Sequence, residues 1–255
     1  MKKRKFMWSA LILCLLFIMP AAVHADIKKD FVAFDRAFIP PLAITNQEKV
    51  NPSRKAMKIL MQNWEEFKAK YYNSNPQDPK WKEDFDRIDR QIREAAKIVK
   101  DGTDLMAAHE ALEEIRTITM DLRKRNNMDY FLDPLTEFHI LMETIFHTGK
   151  DNSPEDLNQG MISDLKETVS EAQALWAKIG KVPFDKDLYG FTDQMVAQMK
   201  QYHSAETKAL DMVQKAIETG DKKAIIAAAK GVKDSYAQLY KMFGDFDRIK
   251  KGEAS

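Results

Sequence analysis

Cysteine is nearly absent from this chain: its 255 residues contain one, Cys14. That single thiol lies in an N-terminal stretch with the three parts of a secretory signal. Lys2, Lys3, Arg4 and Lys5 form a basic start, an apolar run follows from Ala10 to Met19, and Pro20 precedes Val23-His24-Ala25 with small residues at the two positions a signal peptidase reads. The pattern predicts export to the periplasm of a bacterial envelope with cleavage after Ala25. Leu13 before Cys14 is too large for a lipoprotein site. The chain beyond Ala25 then has no disulfide, no thiolate metal ligand and no CxxCH, which excludes covalent haem. Its stability has to come from the core, and a chain of this length can bury one.

Glycine and proline are scarce, nine of each. No run of 18 apolar residues follows the N-terminal segment, so no membrane span is expected in the mature chain. One sign of charge is not in excess either. Without the four N-terminal cations, the 40 basic residues become 36 against 39 acidic ones, a net charge of −3, which argues against a nucleic-acid partner. The catalytic signatures are missing as well: Gly-x-Ser-x-Gly, a phosphate loop, His-Glu-x-x-His and a glycine-rich dinucleotide fingerprint. The chain therefore reads as a non-enzyme.

What the sequence does have is helical periodicity, with apolar residues recurring at i, i+3, i+4 and i+7. Eight helices are predicted, over about 28–45, 53–72, 80–100, 104–124, 130–148, 154–180, 187–219 and 221–245. Pro40 and Pro41 are expected to kink or end the first. Gly102 and Gly220 are expected to stop the third and seventh.

The two halves match in register. Phe31, Phe38 and Leu42 correspond to Phe131, Phe138 and Met142 at an offset of 100. Met57, Leu60, Trp64 and Phe67 correspond to Val169, Ala172, Trp176 and Ile179 at 112. Ile92, Ala95, Val99 and Gly102 correspond to Leu210, Val213, Ile217 and Gly220 at 118. The fourth and eighth helices match at 117, less tidily in side-chain size. The expected architecture is all-α: two tandem antiparallel four-helix bundles, residues 26–126 and 127–255, related by an internal repeat and following a signal peptide over 1–25. A single merged eight-helix array is the alternative.

The stretch Ala216-Ile217-Glu218-Thr219-Gly220-Asp221, and the alanine-rich helix after it ending Tyr236-Ala237-Gln238-Leu239-Tyr240, resemble the end of the periplasmic b-type and c-prime cytochrome four-helix bundles. The b-type family carries a Tyr-His-x-x-Tyr run there whose His ligates haem. Ala237 stands at that position, and the corresponding place in the first half falls near Met120. The resemblance implies the bundle and speaks against haem held in that family's way.

Four histidines follow the signal: His109, His139, His147 and His203. His139, Glu143 and His147 are spaced i, i+4, i+8 along one ridge of the fifth helix. His203 and Glu206 fall where the first half has the core positions Phe85 and Ile88. Imidazole with carboxylate suits divalent transition metals, so His139, Glu143, His203 and Glu206 form the candidate metal set, with the cofactor otherwise unknown. A di-iron site fits less well, because the order is His-x-x-Glu and occurs once. His109 with Glu113 is an i, i+4 pair flanking an apolar stripe and reads as a satisfied or solvent-exposed polar pair. Of 14 methionines three lie in the signal, leaving eleven, most on or beside apolar faces.

The leading functional expectation is a non-catalytic periplasmic binding or accessory protein, with a transition metal in the second bundle as its first candidate ligand. The second is an envelope chaperone or scaffold that takes other envelope proteins in an apolar, Met-containing groove. The third is a haem or di-metal cofactor protein.

Overall fold

The fold is all-helical. The computed structural model describes residues 21–251, with side chains over 26–250, and contains no strand among them. The expected signal falls largely on residues 1–20, outside the described residues. Nine helices follow: α1 (Ala21–Thr45), α2 (Val50–Tyr71), α3 (Trp81–Asp101), α4 (Leu105–Arg125), α5 (Leu132–Lys150), α6 (Gln159–Ile179), α7 (Asp193–Thr219), α8 (Lys222–Lys241) and the short α9 (Asp247–Lys251).

Local chemistry sets the ends. Asp104, Asn158, Thr192 and Asp221 each accept a backbone N–H of the first turn they precede, satisfying donors with no partner inside the helix. Gly102 and Gly220 close α3 and α7 in the left-handed conformation, φ 70° and 69°, which a residue without Cβ adopts at no steric cost. Gly190 also takes the left-handed conformation, φ 63°, in the turn just before α7. Its turn, closed by Phe191 N–H to the Lys186 carbonyl at 2.7 Å, makes residues 187–191 a connection and not the start of the seventh helix.

The prolines of α1 do not end it. Pro40 cannot donate to the Arg36 carbonyl, and that carbonyl instead accepts the N–H of Asp245 at 2.9 Å. Thr45 Oγ1 returns a hydrogen bond to the Pro41 carbonyl at 2.8 Å. The segment after α8 thus supplies a donor that the proline removes. It leads into α9, which sequence periodicity did not reveal and which packs on α2.

Helix contacts form two rings. α1 packs on α2, α2 on α3, α3 on α4, and α4 back on α1. α5 to α8 repeat the same order of contacts. Within each ring a tryptophan near the end of the second helix meets the third helix: Trp64 lies 5.5 Å from Phe85 and Trp176 lies 4.6 Å from His203, ring centre to ring centre. Both indoles are buried, and truncating either to alanine would cost about 3–5 kcal/mol.

The two rings share one continuous apolar core, through α1 against α8 and α4 against α5. The joint is polar as well as apolar. Arg123 is buried between the rings of Phe31 (4.9 Å) and Tyr130 (4.2 Å). The Tyr130 hydroxyl donates to Asp35 at 2.5 Å. Burial, opposed by the charge of Arg123, pushes the Asp35 carboxyl up to about 6.

Candidate functional site

Two helices of each ring, α1 and α4 from the first and α5 and α8 from the second, enclose a cleft of about 110 Å³. Helical spacing places its polar groups. His109, Glu113 and Arg116 recur at i, i+4 and i+7 on one face of α4, and His139 and Glu143 at i, i+4 on α5. Lys233, Tyr236 and Tyr240 share a face of α8 at i, i+3 and i+7, while Leu42 and Ile39 of α1 supply apolar wall.

The charges are interlocked. Glu113 lies 3.2 Å from Arg116, 3.5 Å from His109 Nε2 and 3.9 Å from His139 Nδ1. Glu143 lies 2.7 Å from Lys233 Nζ and 3.2 Å from His139 Nε2. Burial alone would raise both carboxyls. The hydrogen bonds of His139 and Lys233 outweigh it and hold Glu143 down to about 2, and the charge of Arg116 keeps Glu113 below the ordinary value. Burial lowers both His109 and His139. The His109 Nδ1 is 3.0 Å from the Leu42 carbonyl, which can only accept, so Nδ1 carries the proton of the neutral ring and Nε2 presents a lone pair. At neutral pH two cations therefore face two carboxylates and two neutral imidazoles.

Arg116 is paired by charge with Glu113 but leaves hydrogen-bonding capacity unused. Its side chain is only 6% exposed, and its guanidinium stands 4.4 Å from the Tyr240 ring centre. Nη1 is within ion-pair distance of Glu113 but not aligned for a hydrogen bond, and both Nε and Nη1 are buried without a hydrogen-bond partner. Leaving buried donors unmade costs about 1–3 kcal/mol each, and more on a charged group.

The four expected metal ligands do not converge. His139 and Glu143 are in the cleft. His203 lies flat on Trp176 at an interplanar angle of 10°, with Nε2 3.1 Å from the Trp176 carbonyl while the indole N–H returns a bond to the His203 carbonyl at 3.0 Å. Glu206 is fully buried, accepts the Tyr236 backbone N–H at 3.2 Å, and leaves Oε1 without a hydrogen-bond partner. Burial pushes its carboxyl up to about 8. His147 is exposed and pairs with Asp151 at 2.7 Å. Among the described residues no group of three or more His, Cys, Asp and Glu is arranged to hold a metal ion. The reason lies in the pairing: the two nitrogens of His139 face different carboxylates, and each carboxylate already has a cation.

Local spacing leaves His109 and Glu113 as a satisfied or solvent-exposed pair and does not single out Arg116 or Lys233. A signal existed for Arg116. It falls four residues after Leu112 on the apolar stripe of α4, where a long cation has no solvent to reach. Ala237 of α8 lines the same cleft. The chain matches no protein-family model, no curated protein and no solved structure.

Proposed function

We propose that this chain is an exported, non-catalytic binding protein whose ligand site is the cleft between its two helical rings, and whose ligand is a compact carboxylate. The observation that carries this reading is Arg116: a permanently charged group, buried on the cleft wall, with two N–H-bearing nitrogens unbonded. A carboxylate oxygen is a strong, charge-assisted acceptor for an unbonded guanidinium N–H. The cleft volume of about 110 Å³ is below the roughly 150 Å³ of an apolar cavity that takes benzene, so the ligand is smaller than an aromatic ring, of the size of acetate or glycolate. Leu42, Ile39 and Met142 would cover its apolar part. Lys233 supplies a second cation, and the His109 lone pair an acceptor for a ligand hydroxyl.

A transition metal fits the same cleft less well. It would have to displace Arg116 from Glu113 and Lys233 from Glu143, trading two formed ion pairs for one ion. Export is supported by the N-terminal pattern of basic, apolar and small residues.

Native mass spectrometry of the chain isolated from cells that produce it tests the reading. The expected result is a non-covalent organic acid, lost from an Arg116→Met variant. Stoichiometric zinc, copper, nickel or iron, lost instead from His139→Ala, would replace the carboxylate by a metal.

A further inference from the structure

A second cavity, of about 390 Å³, opens at the end of the α5–α8 ring where the α6–α7 connection crosses it. It lies apart from the cleft and shares no residue with it. Its origin can be read by comparing the rings. At the corresponding level of the first ring, Phe67, Trp81 and Phe85 fill the interior, with Phe85 5.8 Å from Phe67 and 5.2 Å from Trp81. The register that pairs Trp64 with Trp176, an offset of 112, places Ile179 at Phe67, and the register that pairs Gly102 with Gly220, an offset of 118, places Met199 and His203 at Trp81 and Phe85. The shared Trp64–Phe85 and Trp176–His203 contacts confirm that the turns correspond in space. Three large aromatic side chains are thus replaced by smaller or flexible ones, and all three replacements line the cavity.

The lining is apolar within and cationic at the rim. Phe131, Leu135, Phe184 and Val196 form walls beside the three replacements, and Lys186 and Lys200 stand where the cavity meets solvent. Lys186 is paired with Asp193 at 2.5 Å, while Lys200 is exposed and in no ion pair among the described residues. The volume lies in the range of small-molecule sites, roughly 300–1,000 Å³. An apolar chamber with Lys200 at its mouth, in no ion pair among the described residues, is complementary to a hydrocarbon tail ending in a negative charge.

We propose that this cavity binds a single-chain amphiphilic carboxylate, a medium-chain fatty acid, with its tail among Ile179, Met199 and Phe184 and its head beside Lys200. Calorimetric titration of the full-length folded protein with hexanoate, octanoate and decanoate, below their micelle-forming concentrations, tests it. Affinity should rise by about fourfold for each methylene that enters the cavity. Met199→Trp and His203→Phe restore first-ring side chains, and each should abolish decanoate binding. Lys200→Glu leaves the interior intact and should weaken decanoate several-fold while leaving decanol unchanged. The surface variant keeps the test valid if a filling variant misfolds. No decanoate binding to the wild-type protein would overturn the proposal. So would decanoate binding unaffected by Lys200→Glu and by whichever filling variant folds.

Discussion

Arg123 near the end of α4 donates through Nε at 3.0 Å and Nη2 at 2.6 Å to a single oxygen of Asp133 in the first turn of α5. Both side chains are buried, and the pair ties the two rings together next to the Tyr130–Asp35 bond. Removing one partner of a buried pair strands the other charge, which costs about 3–5 kcal/mol. Asp133→Ala should therefore lose stability on that scale in urea denaturation. The double variant Arg123→Met with Asp133→Leu should lose clearly less than the sum of the two single changes.

Glu206 makes the stability depend on pH. Its carboxyl is pushed up to about 8, first by burial and then by Asp234, against the lowering effect of the Tyr236 N–H. The folded state therefore holds a proton that the unfolded chain, titrating near 4.5, releases. The group's contribution is fully present below pH 4.5 and is lost as pH rises through about 8. Glu206→Gln keeps an acceptor for the Tyr236 N–H and has nothing to titrate. It should match the wild type near pH 4.5 and exceed it in unfolding free energy at pH 8.5.

Two glycines of the second ring should respond in opposite directions. A Cβ on Gly149 of α5 would meet Lys230 N at 2.8 Å, the Ala229 Cβ at 2.9 Å and the Ile226 carbonyl oxygen at 2.9 Å, because the backbones of α5 and α8 nearly touch there. Gly149→Ala must separate the helices and should cost about 1–3 kcal/mol. Gly231 of α8 has open space around the same atom, so Gly231→Ala should gain about 0.5–1 kcal/mol from helix propensity. Thermal unfolding of the two variants separates these effects.

The fold was largely written in the spacing of apolar residues. Trp64 and Trp176, and Gly102 and Gly220, stand in the same structural roles that their matching registers predict. Periodicity failed where tertiary contacts decide. Pro40 is tolerated because Asp245, over two hundred residues away, satisfies the freed carbonyl of Arg36. Residues 187–191 have helical spacing but turn at Gly190. The site was half legible. His139 and Glu143 line the cleft, and Glu206 is buried where Ile88 is in the first ring. Their partners were hidden because ion pairing between helices has no signature in local spacing. Glu113 reaches across from α4 to His139 of α5, and Lys233 from α8 to Glu143.

The cleft's ability to take a carboxylate through Arg116 is most directly tested by calorimetric titration of the purified protein with formate, acetate and glycolate. Wild type, Arg116→Met and His203→Phe would be compared, the last placed outside the cleft. At least one of these acids should bind the wild-type protein and His203→Phe alike, and bind Arg116→Met about tenfold more weakly or worse, the loss expected when a charge-assisted hydrogen bond is removed. Equal binding to Arg116→Met, or no binding of any of the three to the wild type, would contradict it.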